Sequence, residues 1–169
     1  MKEKTIYLAM GCFWGAQKYF DMVKGVLSTE VGYANGTTDK TDYRNVCSGV
    51  SDHAEAIKIT FDEDVLSLDD ILTLFFEAID PTSVNRQGND VGRQYRSGIY
   101  YTDEEDAEKI SSFLDSQKQK YGFIATEALP LKNYCKAEEY HQNYLDKTPG
   151  GYCHIGPAEF RFAENYRKR

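Results

Sequence analysis

A cysteine followed by two aromatic rings, in the run Gly11-Cys12-Phe13-Trp14-Gly15, is the first place in this sequence where side chains of reactive type lie together. A thiolate is a nucleophile, and adjacent rings can wall a small apolar pocket beside it. Trp14 is the only tryptophan of the chain. A strand pattern precedes the run and a helical pattern follows it. Cys12 is therefore expected at a helix start, where unpaired N–H groups and the helix dipole favour negative charge. That position predicts a thiol that ionises more readily than a free cysteine. Spacing alone leaves a second reading open, with Phe13 and Trp14 as core and Cys12 as an inert buried thiol.

The chain has three further cysteines, Cys47, Cys135 and Cys153. None forms a Cys-x-x-Cys pair, which argues against a thioredoxin-like motif and a standard zinc knuckle. His53-Ala54-Glu55 has the His-x-Glu element of zinc deaminases, but the downstream Pro-Cys-x-x-Cys of that metal site is missing. Neither a metal nor a cofactor is expected.

The elements that must position these residues follow from periodicity. Residues 5–9 read as a strand, and Ala16, Tyr19, Phe20 and Val23 as a helix that starts near Trp14 or Gly15 and stops by Gly25. Strands are predicted over Val26–Tyr33 and Ala54–Phe61. Ser67 reads as the N-cap of an amphipathic helix from Leu68 to Ile79, ended by Asp80-Pro81. A strand over Ile99–Tyr101, a helix capped by Thr102 or Asp103 and running to about Tyr121, and a strand over 125–131 come next. Pro130 marks that last strand as an edge. A short helix over Glu138–Asp146 and a Gly-rich irregular tail, 149–169, complete the chain. The order β-α-β-β-α-β-α-β begins as a split β-α-β unit. The expected fold is α+β: a two-layer sandwich with a ferredoxin-like core and a mixed sheet. Two long loops, 34–51 and 81–96, are expected to be functional, as such loops usually are.

The 169 residues suit one domain, 1–169, and 41% hydrophobic with 28% charged residues describe an ordinary globular chain. A net charge of -7 argues against nucleic acid. The basic cluster Arg167-Lys168-Arg169 reads as a solvated chain end. No apolar stretch of about 18 residues suits a membrane span, and the N-terminus lacks the pattern of a secretory signal, so a cytoplasmic protein is expected.

Gly-Cys-Phe-Trp-Gly resembles the active-site motif of the A-type peptide methionine sulfoxide reductases. Tyr43-Arg44-Asn45-Val46-Cys47-Ser48-Gly49, His53-Ala54-Glu55-Ala56, Gln87-Gly88-Asn89-Asp90 with Gln94-Tyr95-Arg96-Ser97, and Gly151-Tyr152-Cys153 are similar to further segments of that family, in the same order. The resemblance spans essentially the whole chain. It implies a methionine sulfoxide substrate, free or in proteins, of the S epimer. By the same resemblance Cys12 attacks the sulfoxide sulfur and Glu55 supplies a proton. Tyr43 and Tyr95 hydrogen-bond the oxygen, Phe13 and Trp14 hold the methyl group, and Asp90 orients the site. Read without it, either tyrosine is one of thirteen, Glu55 is an ordinary solvent-face strand residue and Asp90 a turn residue.

Attack would leave a sulfenic acid on Cys12, which condenses readily with another thiol. Cys153 matches the family's first recycling cysteine. Cys47 falls where the family often carries a cysteine without a redox role, and Cys135 has no counterpart. Many members carry a second recycling cysteine, but here Pro157-Ala158-Glu159-Phe160-Arg161-Phe162 contains no thiol. The resemblance thus implies a Cys12–Cys153 disulfide reduced by thioredoxin or a similar dithiol; a monomer is expected. A non-catalytic binding module and a thiol peroxidase are the other readings of the same residues.

Overall fold

The computed structural model describes residues 1–167; of the terminal basic cluster, Lys168 and Arg169 lie outside the described residues. Strand alternation builds the sheet. In β1 (Glu3–Met10), Ile6, Leu8 and Met10 face one side, and Ala9, with the partly buried Tyr7, faces the other. Gly11 then turns the chain with φ 86, a left-handed conformation that favours glycine, into α1 (Phe13–Asp21). There follow β2 (Val26–Ala34), α2 (Tyr43–Ser48), β3 (Ala54–Asp62), α3 (Leu68–Glu77), β4 (Arg86–Gln87) and β5 (Asp90–Val91). A 3-10 turn at Arg93–Tyr95 leads into β6 (Ser97–Tyr101), α4 (Glu104–Tyr121), β7 (Glu127–Pro130) and β8 (Cys135–Lys136). A second 3-10 turn, Glu139–His141, precedes α5 (Tyr144–Lys147) and α6 (Pro157–Asn165).

The main sheet of the described residues has the order β7-β6-β1-β3-β2-β8. β3 lies antiparallel between β1 and β2, and β1 antiparallel between β3 and β6. That is the split β-α-β arrangement expected from the element order. The β6–β7 pair is parallel, which makes the sheet mixed, and β7 with its Pro130 is an edge strand as expected. Residues of α1, α3, α4 and the C-terminal segment share one buried cluster with Ile6, Leu8, Ile57, Ile59, Phe61 and Ile99. The α3 start is closed by the predicted Ser67 cap, whose hydroxyl accepts from the Asp70 N–H at 3.1 Å.

Four parts depart from the sequence reading. Loop 34–51 contains α2, started by Asp42, which accepts from the Asn45 N–H at 2.9 Å, and ended by Gly49 at φ 82. A six-residue helix is too short for periodicity to reveal. Loop 81–96 contains the β4–β5 hairpin turning at Gly88 and Asn89. The helix expected over Glu138–Asp146 is broken by Asn143, whose φ of 54 separates the 3-10 turn from α5. In the tail expected to be irregular over 149–169, residues 157–165 form α6, begun by Pro157, whose fixed φ suits a helix start.

Two buried side-chain amides replace strand pairing. Gln87 accepts from the Asp80 N–H at 3.0 Å and donates to the Asp80 carbonyl at 3.1 Å, which ties the hairpin to the end of α3. Gln142 accepts from the Val31 N–H at 3.0 Å and donates to the carbonyls of Val31 and Ala137 at 2.9 and 3.1 Å. It holds the 137–142 segment against β2, so that His141 faces α1. Truncation would leave the buried Val31 N–H unpaired, a loss of about 1–3 kcal/mol. Gln142→Ala is expected to lower the unfolding free energy by that amount, seen in equilibrium unfolding as a lower urea midpoint at unchanged m-value.

Candidate active site

Cys12 occupies the N-cap position of α1, as the sequence predicts, and is 7% exposed. Its ionisation differs from expectation. Burial, first, and the nearby Glu55, second, push the thiol above its ordinary range, and the opposing backbone N–H of Trp14 does not compensate. The helix-start effect is real but smaller than the cost of burial. In the resting protein the thiol is held neutral.

Glu55 is the partner that explains this. It follows Ala54 at the start of β3 and lies on the same strand face as Ile57, Ile59 and Phe61, at the end nearest α1. It is 2% exposed and accepts one hydrogen bond, from the Phe13 N–H at 3.1 Å. Burial raises its carboxyl to about 8; the Phe13 bond works against this and the charge of Asp90 with it. The solvent-facing reading of Glu55 is therefore overturned. Near neutral pH the site contains a protonated carboxylic acid beside a protonated thiol.

The two tyrosines arrive from the two long loops. Tyr43 is the first residue of α2, where its N–H donates to Glu138 Oε2 at 3.1 Å. Burial raises its phenol, as do a hydrogen bond with Cys47 and the fields of Glu55 and Cys12. Tyr95 ends the first 3-10 turn, and burial followed by Glu55, Asp90, Tyr43 and Cys12 raises its phenol too. Both hydroxyls stay protonated and able to donate. Arg96 fixes the Tyr95 turn: its guanidinium donates to the carbonyls of Arg93, Asn35 and Asp52 at 2.9, 3.1 and 3.0 Å. Asp90, on the hairpin, accepts from the Tyr152 hydroxyl at 3.1 Å, which places Tyr152 and the adjoining Cys153 at the rim.

Phe13 and Trp14 divide their work. Phe13 is 1% exposed, packed on Tyr33 and His141 with ring centroids 5.6 and 5.1 Å apart. Trp14 is half-buried and presents the accessible ring. It stacks on Tyr144 at 3.8 Å, and its indole N–H donates to His141 Nδ1 at 3.0 Å. His141 and Glu138 are site residues that sequence reasoning missed. Accepting at Nδ1 fixes the His141 tautomer with the proton on Nε2, a buried donor without a partner among the described residues. Glu138 holds the Tyr33 hydroxyl at 2.8 Å and the Tyr43 N–H. In the sequence, Glu138-Glu139-Tyr140-His141 reads as plain helix; an aromatic-flanked His beside an acidic pair is the only available signal.

Of the remaining cysteines, Cys153 is the one at α1. A methyl group at Gly15 would lie 2.8 Å from Cys153 Sγ, so the last glycine of the pentapeptide is the seat of that thiol. Gly15 is one helical turn from Cys12, on the same side. Cys47 is exposed on α2 beside Tyr43, and Cys135 lies on β8 with Sγ 3.6 Å from the Thr41 carbonyl. No group of three or more His, Cys, Asp or Glu comes together as a metal site among the described residues. His53 Nε2 is instead engaged with the Asn133 carbonyl at 2.9 Å. A surface cavity of about 630 Å³ between Leu68 and Phe113 includes none of the residues named in this site.

A buried thiol, a neutral carboxylic acid, two phenols and a second thiol on one end of a split β-α-β sheet define a thiol-dependent oxidoreductase. The chain matches the family described as peptide methionine sulfoxide reductase over residues 4–168, and it belongs to that family. It is 55% identical over 164 residues to the peptide methionine sulfoxide reductase MsrA of Lachnoclostridium phytofermentans, covering 96% of this chain and 99% of that one. Among solved structures, Mxr1 from Saccharomyces cerevisiae in reduced form superposes with a TM-score of 0.86 at 37% identity, over 99% of this chain and 93% of that chain. Mxr1 in complex with Trx2 matches with a TM-score of 0.61 at 27% identity, over 85% of each chain. The activity is that of a peptide methionine sulfoxide reductase of the A type.

Two outcomes follow from the geometry. The folded state prefers neutral Glu55, so its contribution to stability is full at low pH and is lost as pH rises from the ordinary carboxylate range through about 8. Glu55→Gln should therefore unfold at a higher urea concentration than the parent at about pH 9, with the difference shrinking by about pH 5. Gly15→Ala should expel Cys153 from its seat, seen as severalfold faster alkylation of Cys153 in peptide mass spectra, while Cys135 reacts at its original rate.

Proposed function

We propose that the protein reduces the S epimer of methionine sulfoxide, free or in proteins, through a sulfenic acid on Cys12 that Cys153 resolves and a thioredoxin-type dithiol clears. The observation that carries this is the burial of the Glu55 carboxyl, 2% exposed and bonded to the Phe13 N–H next to Cys12, which raises it to about 8. A sulfoxide oxygen is a poor leaving group until it is protonated. An acid that keeps its proton up to about pH 8 supplies that proton at physiological pH.

The substrate oxygen enters between the Tyr43 and Tyr95 hydroxyls, which donate to it as negative charge develops. The Cys12 sulfur attacks the sulfoxide sulfur while Glu55 protonates the oxygen. The thiol proton replaces the one Glu55 gave up. The oxygen passes to Cys12, so methionine leaves and a sulfenic acid remains. Trp14 supplies the accessible apolar wall for the substrate methyl, with Phe13 behind it and Asp90 orienting the site through its contact with Tyr152.

Cys153 then condenses with the sulfenic acid, releasing water and closing a Cys12–Cys153 disulfide. Its position against Gly15 supports this role over Cys47 and Cys135. The capture of a relative with Trx2 supports a thioredoxin as the reductant. No helix among the described residues is long and apolar enough to cross a membrane; that the chain acts as a single cytoplasmic domain and a monomer is part of the same proposal.

An assay of the two separated sulfoxide epimers, with thioredoxin and with dithiothreitol, tests the reading. The S epimer should turn over with either reductant and the R epimer with neither, and Cys12→Ser should show no turnover. Reduction of the R epimer, or activity surviving in Cys12→Ser, would sink it.

A further inference from the structure

His154 lies directly after Cys153, and its ring is wedged between the end of β1, the start of α1 and the β4–β5 hairpin. Nε2 lies 2.9 Å from the Met10 carbonyl. A carbonyl only accepts, so Nε2 carries the proton and Nδ1 is a bare lone pair. That Nδ1 is buried and has no partner among the described residues, a costly arrangement for a polar atom with no other task. Its direction is fixed by two glycines. A methyl at Gly11 would lie 3.0 Å from Nε2, and one at Gly15 would lie 3.6 Å from Nδ1 and 2.8 Å from Cys153 Sγ. The unpaired nitrogen and the second thiol thus border the same side-chain-free spot on α1.

We infer that His154 Nδ1 is the proton acceptor for the Cys153 thiol in the step that resolves the oxidised Cys12. This rests on the reading that Cys153 attacks a Cys12 sulfenic acid. As the Cys153 sulfur bonds to the Cys12 sulfur, its proton moves to Nδ1. The Cys12 S–O bond breaks, and the departing oxygen takes a proton from Glu55 and leaves as water. The imidazolium returns its proton to Glu55 through solvent. One thiol and one sulfenic acid become one disulfide and one water, with no external oxidant or reductant.

The surroundings suit a base rather than a permanent cation. Burial lowers the imidazole's affinity for a proton, while the Met10 carbonyl and Asp90 on the hairpin act the other way. Cys153, which borders the same spot at Gly15, is the other titratable group beside the ring; Lys18, further along α1, favours the Cys153 thiolate. The thiol itself is raised by burial, so it needs help to lose its proton.

The test is a single turnover of reduced full-length protein with methionine-S-sulfoxide and no reductant, following methionine release and disulfide formation separately. His154→Gln keeps an N–H donor for the Met10 carbonyl but has no basic nitrogen. It should release methionine within about threefold of the parent rate, while disulfide formation falls by about a hundredfold, the usual worth of general base catalysis. The sulfenic acid should then accumulate and be captured by dimedone. The slow step should quicken about tenfold per pH unit, as expected when the thiol must ionise unaided. His154→Asn should behave alike, which separates loss of the base from loss of packing. Unchanged disulfide formation in both variants, or equal slowing of both steps, overturns the inference. Cys153→Ser tests the underlying reading by itself: it should stop at one methionine with no second thiol lost. A second thiol disappearing there overturns that reading and the inference with it.

Discussion

A carboxyl group almost without access to water must be satisfied by protein, and Glu55 has one described hydrogen-bond donor, the Phe13 N–H at the start of α1. This bond joins the two halves of the site. It brings the start of β3 against the first turn of α1, and that contact sets Cys12 beside an acid. With a single donor and no close cation among the described residues, burial wins and the group stays neutral. A second donor or an arginine at this point would restore an ordinary carboxylate and remove the proton. The sparse pairing of Glu55 is thus what makes it useful.

The rest of the molecule brings loops to that joint. Gln87 and Gln142 each take both backbone groups of one residue, Asp80 and Val31, as a neighbouring strand would. Arg96 gathers three carbonyls from three segments. These contacts give the 34–51, 81–96 and 137–142 segments fixed positions without extending the sheet. Buried polar side chains bonded to several backbone groups at once specify one arrangement, whereas apolar packing tolerates several.

The sheet and its helices were legible because their signals are periodic. Alternation along Ile57, Ile59 and Phe61, extended backward by one step, also places Glu55 on the buried face, so the strand pattern by itself carries the signal for its environment. Cys12 at a helix start was readable too, yet its thiol is raised rather than lowered. Burial depends on what packs from far along the chain, and no local pattern reports it. The breaks at Asn143 and the start of α6 rest on single-residue conformations. His141 entered the site through Phe13 and through Trp14, 127 positions away, pairings without sequence periodicity.

The placement of Trp14 has a consequence outside chemistry. With one tryptophan in 169 residues, the indole emission of this protein comes entirely from a ring stacked on Tyr144 and bonded to His141, two residues from Cys12. The molecule therefore carries its own optical gauge. A change in that light on mixing with ligand, oxidant or reductant originates beside Cys12, with no indole background from elsewhere in the fold.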